Sequence, residues 1–172
     1  MPREQNFTEL IKKYFLFLVD RYSFLFNEKQ NMYSNKKIDI AISEFERTSI
    51  RIELWLRSEP NFTQIDIDWL LREQIDYNII NKNLLEENIK YYSELLHKNA
   101  YILTDEAMFR RILLLGLKKM FINIAIGRIP AERLSIAQYL NNLPSMDKQY
   151  YDYIKEKDPN WSPTEELKKH FA

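Results

Sequence analysis

Cysteine is absent from this 172-residue chain, which excludes disulfides, a thiolate nucleophile and any cysteine-based metal site. Two glycines leave no room for a glycine-rich loop that cradles phosphate. The two histidines, His97 and His170, lie in the charged surroundings LLHKN and KKHFA, with no second ligand nearby. They suit exposed helix ends better than a metal or acid–base centre. No nucleophile-elbow motif supports a serine–histidine triad. Neither charge is in excess, because twenty-five basic side chains face twenty-five acidic ones. That argues against whole-surface attraction to nucleic acid or anionic membrane and leaves only local patches. No apolar run approaches the ~18 residues of a membrane span. The N-terminal MPREQNFTELIKKYF has no signal-peptide core. These absences predict a soluble, cytoplasmic protein without cofactor or metal, binding neither nucleic acid nor membrane.

What is present is alternation. Lys37–Ser58 holds two period-two runs, which put alternate side chains on opposite sheet faces. Ile38, Ile40 and Ile42 share a face in the first run. Ile50, Ile52, Leu54 and Leu56 do so in the second, with Arg51, Glu53, Trp55 and Arg57 opposite. An antiparallel hairpin follows, its turn type left open because Glu46-Arg47-Thr48 lacks an Asn-Gly or Asp-Gly signal. Phe7–Tyr22 reads as one amphipathic helix, with Asn6 as N-cap and Glu9 three residues on. Phe24–Phe26 suits a short strand or a helix end. Glu59-Pro60-Asn61 ends the sheet, because proline removes a ladder donor. The predicted fold is α+β: three to four antiparallel strands over about residues 31–58, an N-terminal helix on the isoleucine face, and an all-helical C-terminal part.

Asp66 or Asp68 caps a helix carrying Trp69, Leu70, Leu71, Ile75 and Ile79, and Asn83 with Glu86 starts the next. Thr104 or Asp105 opens a long helix to about Ile126. Over Ile112–Ile126 that helix is apolar nearly all round. Such an arc predicts burial on several sides, against other elements or against a second copy in a homodimer. Gly127 suits the C′ position and Pro130 the first turn of a following helix. We therefore expect one domain, with a subdivision between an α+β body to residue 126 and a helical tail over 127–172.

Candidate chemistry is sparse. Glu44 and Glu46 share parity with the buried isoleucines and suit an acid–base pair, or a bulge near Ser43 turns both to water. Asp66 and Asp68 in IDIDW suit a cation, although helix capping explains at least one. Arg110, Arg111, Lys118 and Lys119 share a helix face and suit either phosphate or solvent. Trp55 with Arg51 and Arg57 has hot-spot composition on the non-core face, so these three are the candidate partner-binding residues. A C-terminal helix is the alternative cover for that ring. Tyr139, Tyr150, Tyr151, Tyr153 and Trp161 pack on one another or on a partner.

The order YFLFLVDRYSF, MYSNKKIDIAI, SIRIELWL, IDIDWLL and LLEENIKYYSELLHKNA, over about Phe7–Ala100, resembles a class of small bacterial α+β proteins. That class is the immunity type found in polymorphic-toxin gene neighbourhoods. The resemblance implies a non-enzymatic protein-binding module whose partner is a toxin domain, and it assigns no individual residue. Residues 101–172 extend beyond it. A second function class, an enzyme or small-ligand binder using carboxylates and tyrosines, requires a pocket with convergent polar groups.

Overall fold

The two alternating runs are the paired strands β3 (Ile38–Phe45) and β4 (Ser49–Leu56), in register from Ile38 opposite Leu56 to Phe45 opposite Ser49. They lie at the centre of a five-stranded antiparallel sheet completed by β1 (Leu25–Asn27), β2 (Met32–Ser34) and β5 (Ile65–Asp66), in the order β1-β2-β3-β4-β5. These facts come from a computed structural model describing residues 3–172, with side chains from Phe7 onward. The fold is α+β. The sheet is wider than predicted and does not end at Pro60. After one 3-10 turn over Asn61–Thr63 the chain returns, and Ile65 pairs with Leu54 and Asp66 with Glu53.

One face of the sheet is aliphatic and buried. Ile38, Ile40, Ile42, Ile50, Ile52, Leu54, Leu56 and Ile65 are all inaccessible or nearly so, and burying each such side chain contributes about 1.5–3 kcal/mol. The predicted N-terminal helix is two helices, α1 (Arg3–Tyr14) and α2 (Leu16–Tyr22), broken at Phe15. Asn6 falls inside α1 and so is not its N-cap, and its side chain lies outside the described residues. Phe7, Ile11, Phe15 and Leu18 still form one buried row across the break. The Tyr33 hydroxyl donates to the carbonyl of Ile11 at 3.3 Å.

The segment after β5 is more broken than predicted. Asp66 caps a single turn, α3 (Ile67–Leu70); a 3-10 turn follows over Arg72–Gln74; and Asp76 caps α4 (Tyr77–Lys82). The next helix, α5 (Leu85–Lys98), starts beyond Asn83 and uses Glu87, which accepts the Leu84 N–H at 3.0 Å. Ile89, Tyr92 and Leu96 are its buried stripe, and α5 packs on both α1 and β4.

A short α6 (Tyr101–Thr104) precedes α7 (Glu106–Ala131), whose Met108 N–H is accepted by Asp105. Neither Gly127 nor Pro130 marks a helix boundary, because α7 runs through both. It ends instead with Arg133 in the left-handed region at φ 55. Leu134 N–H reaches the Ile129 carbonyl and Arg133 N–H that of Pro130, the paired bonds of a Schellman end. The chain forms two compact units, Met1–Arg110 and Arg111–Ala172.

The second unit contains the rest of α7, then α8 (Ile136–Asn141), α9 (Ser145–Lys157) and α10 (Thr164–Phe171). Its core row on α7 is Leu113, Leu117, Phe121, Ala125 and Ile129. The broader apolar arc is only half-buried on either flank, and Leu115 is 53% exposed. Phe121 meets the rings of Tyr139, Tyr151 and Trp161 at 5.6–6.1 Å. Of the proposed aromatic group, these three pack within their own unit.

Candidate functional site

The alternation that buries the aliphatic face lifts Asp39, Ala41, Ser43 and Phe45 of β3, with Arg51, Glu53 and Trp55 of β4, onto the other. The register extends this polar face to Leu25 and Asn27 of β1, Met32 and Ser34 of β2, and Asp66 of β5. Leu25, Ser34, Asp39 and Trp55 form one row across four strands. Leu25 is 77% exposed and Trp55 is half-buried.

The three predicted partner-binding residues occupy this face but do not form one cluster. Arg51 and Arg57 are six residues apart along the strand direction, about 20 Å at the usual rise. Arg51 stacks its guanidinium 4.4 Å from the centre of the Phe45 ring and places Nε 3.4 Å from Asp66 Oδ2. Arg57 donates from Nε to both carboxylate oxygens of Asp39, at 3.1 and 3.2 Å. The Asp39 side chain is 8% exposed and that of Arg57 50%, so the carboxylate is satisfied inside the surface while its cation reaches water.

At the Arg57 end lies a concavity of about 670 Å3 lined by Tyr22, Ser23, Leu25, Ser34, Asn35, Lys36, Lys37 and Arg57. Its walls are fixed locally. Ser23 ends α2 in the left-handed region at φ 58. The Asn35 side chain accepts the N–H groups of Lys37 and Ile38 at 2.8 and 2.7 Å, an Asx turn that sets the β2–β3 connection. Lys37 is held by Glu106 at 2.8 Å.

Towards the Arg51 end lies a smaller concavity, about 290 Å3, lined in part by Glu46, Arg51, Asp66, Asp68, Tyr77 and Tyr92. The hydroxyls of Tyr77 and Tyr92 both donate to Asp68 Oδ2 at 3.1 Å. Asp66 accepts the Asp68 N–H at 3.0 Å, so capping occupies one carboxylate of the IDIDW pair. Burial pushes the Asp66 carboxyl up to about 6, with the charge of Asp68 adding to the rise and Arg51 opposing it. Burial and Asp68 push the Tyr77 hydroxyl up to about 12, and the buried Tyr92 hydroxyl rises further for the same reasons. Chemically this is a site that favours protonated oxygen. Among the described residues no cluster of histidine, aspartate and glutamate has the grouping to hold a metal ion.

The remaining candidates are dispersed. Glu44 is exposed without any bulge, because β3 keeps its register to Phe45 and the hairpin tip is solvent-exposed on both faces. It lines a third concavity with Phe7 and Thr8, while Glu46 lines the acidic one. His97 stacks on Phe17 at 4.3 Å and 7°, and His170 meets Phe171 edge-on. Within the basic stripe, Arg110 pairs with Glu59 and Glu106, and Lys118 pairs with Asp158. Arg111 and Lys119 are exposed.

Sequence reasoning missed two groupings. One is the convergence of Tyr77 and Tyr92 on Asp68. The other is Asp147, fully buried in the helical unit, where Arg128 donates to both its oxygens at 2.7 and 3.2 Å and the Tyr139 hydroxyl adds a third bond at 2.7 Å. Neither has a local motif. No helix among the described residues is long and apolar enough to cross a membrane. No family model, curated protein or solved structure matches the chain.

Proposed function

We propose that the protein is a non-enzymatic binding module whose polar sheet face docks a protein partner, with Trp55 as anchor and Arg51 and Arg57 at the two ends. The observation that carries this reading is Trp55 itself: a half-buried indole on the face opposite a complete aliphatic core. That ring lies outside the sheet's aliphatic core and keeps part of its apolar area for a partner to cover. The resemblance over Phe7–Ala100 implies a toxin domain as the partner and supports reading the module as its cytoplasmic inhibitor. Tagged wild-type and Trp55→Ala proteins, used as baits in the native host, test this. Wild type recovers a stoichiometric partner and the variant loses most of it, while the melting temperature stays within a few degrees. Equal recovery by both baits contradicts the proposal.

A second reading rests on the acidic concavity. Two phenolic hydroxyls converging on Asp68 beside a carboxyl raised to about 6 suit a small ligand that exchanges hydrogen bonds with protonated oxygen. Unchanged partner recovery by Trp55→Ala, combined with small-molecule thermal stabilisation that Asp68→Asn abolishes, favours it.

A further inference from the structure

We infer that the concavity beside Arg57 takes an acidic segment of a protein partner, one carrying a large apolar side chain next to its carboxylates. This inference rests on the binding-module reading and names the chemistry of the partner. Among the eight lining residues three are cations, Lys36, Lys37 and Arg57, and none is acidic. Two of the three are already ion-paired, Lys37 with Glu106 and Arg57 with Asp39, so Lys36 carries the unmatched positive charge of this end of the sheet. The nearby carboxylates are already engaged. Asp39 is sunk beneath Arg57, and Glu106 holds both Lys37 and Arg110. Lys36 is exposed and has no ion-pair partner among the described residues. The Asx turn at Asn35 holds the backbone under both lysines, so little ordering opposes binding.

Leu25 decides between partner classes. It is the most exposed large apolar side chain among the described residues, at 77%, and it lines the same concavity as the cations. A phosphate backbone would engage lysine and arginine but leave Leu25 wet. A peptide with aliphatic or aromatic side chains between its carboxylates covers it and meets Lys36 at the same time. The volume, about 670 Å3, accommodates a few side chains rather than a folded element.

The probes are three blocked hexapeptides: acetyl-Asp-Glu-Leu-Trp-Glu-Asp-amide, its lysine-for-acid counterpart, and a version with Leu and Trp replaced by serine. A thymidine octanucleotide is the fourth. Amide chemical shifts of the intact protein are followed during titration. The acidic apolar peptide is expected to bind at about 0.1–1 mM, moving the amides of Ser23, Leu25, Ser34 and Asn35 and weakening as salt rises. The serine version and the lysine version bind at least about tenfold more weakly. Lys36→Glu weakens the acidic peptide about fivefold or more, whereas Lys98→Glu, a reversal at another exposed lysine, leaves it unchanged. Absence of shifts at those amides, equal binding of the lysine peptide, equal loss on Lys98→Glu, or tighter binding of the oligonucleotide overturns the inference. Its failure is separable from that of the docking proposal, because Trp55→Ala still loses the recovered partner if only the acidic-segment chemistry is wrong.

Discussion

The two ends of β4's polar face are opposites. At Arg57 the surface is a wide basic concavity beside which the buried carboxylate of Asp39 is already matched. At Arg51 it is a narrow acidic and phenolic one, where Asp66, Asp68 and Glu46 outnumber the single arginine. The turns differ too. The β2–β3 connection at the basic end is fastened by the Asn35 side chain. The β3–β4 tip holds Glu46 and Arg47 at φ 50 and 51, a left-handed conformation that costs a non-glycine residue about 1 kcal/mol. Zero net charge therefore conceals a face divided into one basic end and one acidic end, with Trp55 between. On the docking proposal, a partner with the complementary division would be held in one orientation.

The helical unit supplies a reference for what a purely structural carboxylate looks like. Asp147 is closed off from water, neutralised by Arg128 and hydrogen-bonded by the Tyr139 hydroxyl. Arg128→Met leaves that charge buried beside one phenol, and we expect the largest loss of stability among these variants in denaturant unfolding. If the contrast with Asp66 and Asp68 holds, that loss leaves peptide shifts at Leu25 and Asn35 untouched.

The next effect is at the acidic end and depends on pH. The Asp66 carboxyl sits at about 6 in the fold against an ordinary 3.8, so the folded chain holds the extra proton between those values. Stability is then lost as pH rises from about 4 to 6 and stays lower above that window. Asp66→Asn keeps a cap acceptor without an ionising group. It should exceed wild type by about 2–3 kcal/mol above pH 7, with the gain vanishing near pH 4. A gain independent of pH would remove the distinction between the two ends.

Smaller changes sharpen the comparison further. Asp39→Asn loses a charge-assisted pair and should destabilise by about 1 kcal/mol, while strengthening the acidic peptide because Arg57 is released. Arg47→Gly relieves the strained tip and should stabilise by about 0.5–1 kcal/mol in thermal unfolding. Glycine at Asn35, where no strain exists to relieve, should destabilise.

Period-two alternation made the central hairpin and the two faces legible, because only a strand puts Ile40 and Ile52 inside and Trp55 on the far side. The strand Ile65–Asp66 was not legible, since two residues carry no period and Pro60 precedes them. The break at Phe15 was hidden because apolar residues continue through it. Gly127 and Pro130 misdirected the end of α7, whose left-handed closing residue is an arginine that no composition rule would select. Trp55, Arg51 and Arg57 could be placed on a face by parity alone. Their neighbours could not, because the basic concavity draws on α2, β1, β2, the β2–β3 turn and the residue that follows β4. Asp68 likewise finds Tyr77 and Tyr92 nine and twenty-four residues away.

The most direct measurement is calorimetric titration of the recovered partner into wild type and Trp55→Ala, with melting curves of both. The docking proposal predicts an affinity loss of about 2 kcal/mol or more, roughly thirtyfold in Kd, with little change in melting. Unchanged affinity beside a clearly lowered melting temperature would make Trp55 part of the fold's own packing and contradict the proposal.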